Sequence, residues 1–276
     1  MKLTVILPAA GLGSRFAADG RASASKIEFE LAHKPVFLHA IELFHGHRDV
    51  VQILLAVHPD RLDDFAFRWS DKLAFMNVKL IAGGRAERWE TVKLALDSVS
   101  DEATHIAVHD AARPCGDQRM IDRVFAAASS LGAVVPGLPM SDTVKQVGDA
   151  EASGWADPLD AILGGTSSPT AGSRRIMQTI PRHDLMRVQT PQVFERGLFY
   201  RAYAALNIDN AKGITDDASV VERLGETVHV IEGDPLNLKI THPADAELLE
   251  AVLASRREKD AKDAAVKQLF GDDDED

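Results

Sequence analysis

The chain of 276 residues has 45% hydrophobic residues and a formal net charge of −11, enough for one large α/β domain or two modest ones around a real core. The acidic balance argues against a nucleic-acid binder, which needs a basic surface, and requires any phosphate site to be a local basic pocket. A lone cysteine, Cys115, excludes an intramolecular disulfide or thiolate metal cluster, and no apolar run approaches a membrane span. The expectation is a cytoplasmic protein with neither membrane nor nucleic-acid partners.

Leu3, Val5, Ile6 and Leu7 form a branched apolar run that reads as a buried first strand, with no leader pattern before it. Pro8 cannot donate to a ladder, which predicts the strand's end there. Ala9-Ala10-Gly11-Leu12-Gly13 then let backbone N–H groups approach a ligand closely and form an anion-binding concavity, with the charge of Arg15 at its end. The dinucleotide pattern G-x-G-x-x-G fails because Phe16 occupies the third glycine position, and no G-K-[ST] follows.

Residues 17–25 are small and polar and read as a flap, followed by Lys26 and a strand-like alternation over Ile27–Leu31. Pro35 opens a helix with Phe37, Leu38, Ile41 and Phe44 on one face. Strands are predicted at Val50–Val57, Val78–Ile81, Thr104–Val108 and Ala133–Leu138. Helices are predicted from Pro59 (with Leu62, Phe65, Phe67 and Trp69), over Arg88–Val99 (with Val92, Leu94, Ala95 and Val99) and over Asp117–Leu131. This alternation predicts a mostly parallel sheet with helices on both faces, and ligands outside the carboxyl ends of its strands. The loop after the first strand, Gly83–Arg88 and His109–Pro114 all fall at that edge.

From Ser141 the rhythm changes. Asp142–Val147 reads as a strand leaving the main sheet, and Gly148–Ser173 as a long insertion rich in Gly, Ser and Thr. Helices follow at Glu195–Leu206 and Asp217–Leu224, strands at Thr227–Glu232 and Asn237–Thr241, and a helix from Pro243. The end, Ser255–Asp276, is a charged segment closing on an acidic run, read as a solvated tail.

Individually these pieces have ordinary readings: Asp110 and Arg113 as a local ion pair shaping a turn, Glu87 or Thr91 as a helix cap, and Lys145, Arg182 and Lys239 as surface charges. Their order carries more. Pro8–Arg15 reads P-A-A-G-x-G-x-R, and Lys26 follows. Gly83-Gly84, Arg88, Thr91 and Val92 form G-G…R-x-x-[ST]-V. Val108–Pro114 is V-H-D-A-A-R-P, and Asp142–Lys145 is D-T-x-K. Gln189–Phe194 is Q-T-P-Q-x-F, Thr215–Ser219 is T-D-D-A-S, and Asn237–Thr241 is N-x-K-x-T. Over Lys2–Leu249 the ordered set resembles the 2-C-methyl-D-erythritol 4-phosphate cytidylyltransferase family.

The resemblance implies an α/β three-layer sandwich with a mostly parallel central sheet, of the Rossmann-like nucleotidyltransferase kind, and a protruding dimerisation arm. One domain would span 1–250 with the arm at about 141–188, leaving 251–276 as a charged helix and acidic tail. It implies an attack by the substrate's phosphate on the α-phosphorus of CTP, with pyrophosphate leaving and Mg²⁺ bridging the phosphates. Arg15 and Lys26 match the pair that stabilises the transition state, and Arg182 and Lys239 the pair that holds the attacking phosphate. Pro8, Ala9, Ala10, Gly11, Gly13, Gly83, Arg88, Thr91 and Asp110 match the CTP pocket, Asp110 also being the nearest metal candidate. Arg113, Thr143, Thr190 and Asp216 match positions near the substrate phosphate. A homodimer is implied, with Arg182 acting in its partner's site and Arg174 or Arg175 as stand-ins. The alternatives are a sister cytidylyltransferase for ribitol 5-phosphate, a non-catalytic nucleotide-binding protein and a dinucleotide-dependent oxidoreductase, the last disfavoured by the missing glycine.

Overall fold

In the computed structural model, which describes residues 1–11, 26–150, 174–207 and 211–270, the alternation of the first strand sets the layering. In β1 (Leu3–Ala9) the side chains of Leu3, Val5 and Leu7 enter one core and that of Ile6 the other, as the two-residue period of a strand buried on both faces requires. Strand β1 lies between β4 (Val50–Val57) and β6 (His105–Val108), parallel to both, and β5 (Val78–Ala82) continues the parallel order beyond β4. On the other side of β6, β11 (Gln192–Glu195) runs antiparallel between it and β7 (Ala133–Pro139), with β12 (His229–Glu232) parallel to β7. Short strands β2 (Glu30–Leu31) and β3 (Lys34–Pro35) form a separate antiparallel pair.

One face of the sheet is covered by α1 (Val36–Glu42), α2 (Leu62–Phe75) and α4 (Gln118–Leu131), the other by α3 (Arg88–Leu96), α5 (Arg196–Ala204) and α6 (Asp217–Arg223). Helix α4 shows why these segments are helical. Met120, Ile121, Val124, Phe125 and Ala128 bury one stripe, Asp117 caps the start by accepting from the Arg119 N–H at 2.9 Å, and Gly132 ends it at φ +76°, where a Cβ would be strained. Helix α7 (Asp245–Phe270) buries Leu249, Val252 and Leu253 against Leu31, Val36, Cys115 and Ile240. No helix among the described residues is long and apolar enough to cross a membrane.

The chain divides into two units, Met1–Gly137 with Val188–Asp276, and Leu138–Arg187. The smaller unit is built on an antiparallel ribbon of β8 (Val144–Ala150) and β9 (Arg174–Ile180), and the short strand β10 (Met186–Val188), a member of the large sheet, spans the unit boundary at Arg187. Lys145 Nζ donates to Thr179 Oγ1 across the ribbon at 2.6 Å.

Several expectations need correction. Strand β1 runs through Pro8 to Ala9. Ile6 accepts from the His109 N–H, and alternation turns Pro8 to that same side, where β6 has already ended; its missing N–H costs the sheet nothing. Residues 26–28 form a 3₁₀ turn rather than a strand, because Glu28 turns inward to ion-pair with Arg61 and Arg68. Phe67 is 90% exposed and Leu94 also faces solvent; the cores take Phe65 and Leu73 of α2 and Val92 and Ala95 of α3 instead. Asn237–Thr241 is not a strand: its backbone donates to Asp234, Leu236 and Ala112 rather than to a ladder, and side-chain bonds at Asn237, Lys239 and Thr241 hold it. The expected C-terminal helix is α7, which starts at Asp245 and sets Val252 and Leu253 in the core, each worth about 1.5–3 kcal/mol when fully buried. Gly13, Arg15, the 17–25 flap, 151–173 within the insertion and the last six residues lie outside the described residues.

Candidate active site

At the carboxyl ends of β1, β5 and β6 lies a cleft of about 480 Å³, the place where an open parallel sheet leaves room for a ligand. Pro8–Gly11 form one wall, the turn after β5 and the start of α3 a second, and Asp110–Ala112 a third; Lys26, Arg88 and Lys239 supply positive charge. A chain of net charge −11 thus gathers cations at one mouth. A second cavity, of about 280 Å³, is lined by Arg113, Gln189, Thr190, Thr215 and Asp216. It shares Arg88, Asp110 and Lys239 with the first.

The apolar end of the cleft depends on close packing. A Cβ on Gly83 would stand 2.8 Å from Thr91 Cγ2 and 2.9 Å from Ala10 Cβ, so only glycine lets these walls approach. The Gly83 N–H is used on Val57 O at 2.7 Å and the Gly84 N–H on Thr91 Oγ1 at 3.0 Å. Gly84, not Gly83, lines the cleft. Glu87 caps α3 in a reciprocal box with Glu90, while the buried Thr91 hydroxyl serves Gly84.

The polar end is a network centred on Asp110. Its Oδ2 meets Lys239 Nζ at 2.7 Å and Arg113 Nε at 3.5 Å, and its Oδ1 meets Arg88 Nε at 3.2 Å. Burial raises the pKa of this carboxyl, but Arg88, Lys239 and Arg113 together outweigh burial and hold it far below the usual carboxylate range. Arg113 Nη1 also donates to Asn237 O at 2.8 Å; the side chain expected to fork onto a phosphate is turned into this network. Asn237 Nδ2 donates to Thr190 O at 2.7 Å, which fixes the segment carrying Lys239.

Behind Asp110 the protonation states can be read from the bonding. His109 Nε2 lies 3.0 Å from Arg113 O, which can only accept, so Nε2 carries the proton. Nδ1 therefore accepts from the Thr190 hydroxyl at 3.1 Å, and that oxygen accepts from the Asp110 N–H at 3.1 Å. Thr190 lines the second cavity, but its hydroxyl proton is committed to His109. Complete burial pushes His109 down to about 4. Because the folded pKa lies below the unfolded value of 6.5, the stability that neutral His109 supports is full above pH 6.5 and is lost as pH falls toward 4. The expected result in urea unfolding is that wild type loses about 3 kcal/mol more than His109→Gln between pH 7 and pH 4. A difference that does not change with pH refutes the assignment.

The structure brings Pro8, Ala9, Ala10, Gly11, Lys26, Arg88, Thr91, Asp110 and Lys239 to the first cleft, and Arg113, Thr190 and Asp216 to the second. Thr143 and Arg182 belong to the smaller unit, where Arg182 Nη1 donates to Ser141 O. The sequence reading gave no role to Gln192, which lines the second cavity, nor to Asp217, Tyr203 and Asn237, which are buried and line neither cavity. The second Asp of T-D-D-A-S was the available signal for Asp217. Among the described residues no three His, Cys, Asp or Glu side chains converge on a possible metal position, and both oxygens of Asp110 are in contact with cations. The described residues do not fit a metal held by the protein itself.

The family model described as "IspD: 2-C-methyl-D-erythritol 4-phosphate cytidylyltransferase" matches residues 3–156 and 167–255. Its unmatched gap falls within the stretch read as an insertion. A 2-C-methyl-D-erythritol 4-phosphate cytidylyltransferase of Acidobacterium capsulatum is 36% identical over 258 residues, covering 93% of this chain and 99% of that protein. One of Solibacter usitatus is also 36% identical, over 92% of this chain and 96% of its own. Among solved structures, the enzyme of that name from Thermus thermophilus superposes with a TM-score of 0.65 at 28% identity, covering 91% of this chain and 98% of the other.

Proposed function

The chain belongs to the 2-C-methyl-D-erythritol 4-phosphate cytidylyltransferase family, and from that premise we propose that it transfers the cytidylyl group of CTP to 2-C-methyl-D-erythritol 4-phosphate, releasing pyrophosphate, in isoprenoid precursor synthesis. The observation that carries the reading is the shared wall: two cavities at the strand ends meet at Arg88, Asp110 and Lys239. A nucleotide in the larger cavity and a phosphate ester in the smaller one are brought together at a cationic boundary. The reaction needs no protein nucleophile, only positioning and fixed positive charge.

In this assignment the end of the cleft lined by Ala10, Gly84 and Thr91 takes the cytosine and excludes the larger purines. Lys26 and Arg15 stabilise the charge that gathers on the α-phosphoryl oxygens. Lys239, held by Asp110, faces the attacking phosphate together with Arg182. A divalent cation such as Mg²⁺ enters on the phosphates of CTP rather than as a ligand of the chain. Pyrophosphate release is the direct test, with CTP and Mg²⁺ and either methylerythritol phosphate or ribitol 5-phosphate as acceptor. Turnover only with ribitol 5-phosphate, or with neither, overturns the reading; loss of turnover in EDTA tests the cation.

The smaller unit supports a homodimer. A two-stranded ribbon alone is marginally stable in water, and this one leaves Ile176 and Met177 of β9 exposed. A second copy is the natural cover, and the arm then delivers Arg182 to the partner's site. Arg182→Ala is expected to raise KM for the polyol phosphate about 10-fold or more, as loss of a charged hydrogen bond does, and to leave KM for CTP unchanged. Unchanged kinetics would transfer the role to Arg174 or Arg175. A chain that sediments as a monomer at assay concentration removes the dimer.

A further inference from the structure

Arg88 is the one guanidinium that lines both cavities among the described residues, and it is held from two sides. Its Nε donates to Asp110 Oδ1 at 3.2 Å, and its Nη1 donates to Asp217 Oδ2 at 2.7 Å. Asp217 has a fully buried side chain and lines neither cavity. Its other oxygen accepts from the Tyr203 hydroxyl at 2.7 Å, and its N–H donates to Gln192 Oε1 at 3.0 Å. The carboxylate is therefore fixed by α5, α6 and β11 and reaches the site only through Arg88. Among the described residues Arg88 Nη2 makes no hydrogen bond, while the Arg88 side chain is 28% exposed.

We propose that Asp217 is a positioning residue: with Asp110 it clamps Arg88 edge-on in the wall between the two cavities, so that the unused Nη2 edge meets the phosphoryl group as it passes from donor to acceptor. The inference deepens the reading given above and rests on it for the identity of the phosphoryl group, but the clamp itself does not. Two buried carboxylates on one guanidinium leave it a single orientation, whereas one carboxylate would let the planar fork swing. Misplacement of a charged donor by about 1 Å is enough to cost about 100-fold in rate.

The test is a double-mutant cycle. Asp217→Ala is expected to lower kcat about 100-fold with KM for CTP little changed, and Asp217→Asn, whose amide oxygen still accepts from Arg88, to recover to within about 10-fold of wild type. In an Arg88→Gln background, Asp217→Ala should add less than about 2-fold, because its route to the site is already gone. Effects that multiply, or an Asp217→Ala enzyme of normal kcat, overturn the proposal. If Asp217→Ala fails to fold, the same cycle with Asp217→Asn decides. Nitrogen NMR of the full-length chain reads the clamp without any substrate: the Arg88 Nη1–H, which Asp217 holds, should be protected from solvent exchange in wild type and exposed in Asp217→Ala. Equal protection in both overturns the clamp even if the chain proves to act on another nucleotide, whereas absence of turnover with CTP in wild type strikes only the substrate assignment.

Discussion

Lys26→Ala is expected to lower kcat by about 10²–10³-fold, about 3–4 kcal/mol of transition-state stabilisation, with an unchanged melting temperature. Lys26 lines the same cleft as Asp110–Ala112. The 3₁₀ turn that carries it has further anchors. Ile27 is buried, and the Glu28 carboxylate ion-pairs with Arg61 and Arg68 and accepts from Trp69 Nε1 at 3.4 Å. Removing the ammonium therefore takes charge from the cleft and leaves its support standing. The substrates are anions in the ground state as well, so KM rises to some extent; charge that grows only as the α-phosphoryl group transfers is what makes the loss fall on kcat. Arg15→Ala is expected to behave alike. Initial rates of pyrophosphate release beside thermal melts check both. A Lys26→Ala enzyme with near-normal kcat would remove Lys26 from the chemistry, and one that melts early would make its role structural.

The layers were legible because strand and helix periods are local properties. The run from Leu3 to Leu7 and the stripe from Met120 to Ala128 each announce their buried faces without reference to the rest of the chain. Asp110, Lys239, Arg88 and Thr190 could be expected near one another only from the order of the motifs that carry them, since taken singly they had ordinary readings. What stayed hidden depends on partners distant in sequence. Pro8 fits inside β1 only because β6 stops short of it. Glu28 leaves its strand pattern because Arg61 and Arg68 are 33 and 40 residues away in sequence yet adjacent in space. Asp217 resembles any acidic residue in the first turn of a helix until Arg88, 129 residues earlier, is placed against it. The commitment of Thr190 to His109, rather than to a ligand, is likewise a fact of tertiary hydrogen bonding.

Asp110→Ala is expected to destabilise the fold by about 3–5 kcal/mol and to abolish measurable turnover. The carboxylate is the shared counter-ion of Arg88, Arg113 and Lys239. Without it three cations crowd a buried corner in which Asp217 compensates Arg88 alone. Arg113 keeps only a neutral carbonyl, that of Asn237. The folded pKa of Asp110 is depressed, so its contribution is fully present at neutral pH and is lost only as pH falls below the unfolded carboxylate range. The penalty should therefore appear undiminished in urea unfolding at pH 7, read from the midpoint at constant slope. The cluster left behind should seek another anion. Millimolar phosphate or pyrophosphate is expected to restore part of the lost stability to Asp110→Ala while moving wild type less, because ligands that bind only the folded state stabilise it in proportion to the logarithm of occupancy. Asp110→Ala as stable as wild type, or equally indifferent to phosphate, would mean that the three cations do not depend on this carboxylate. The shared wall would then need another explanation for its order.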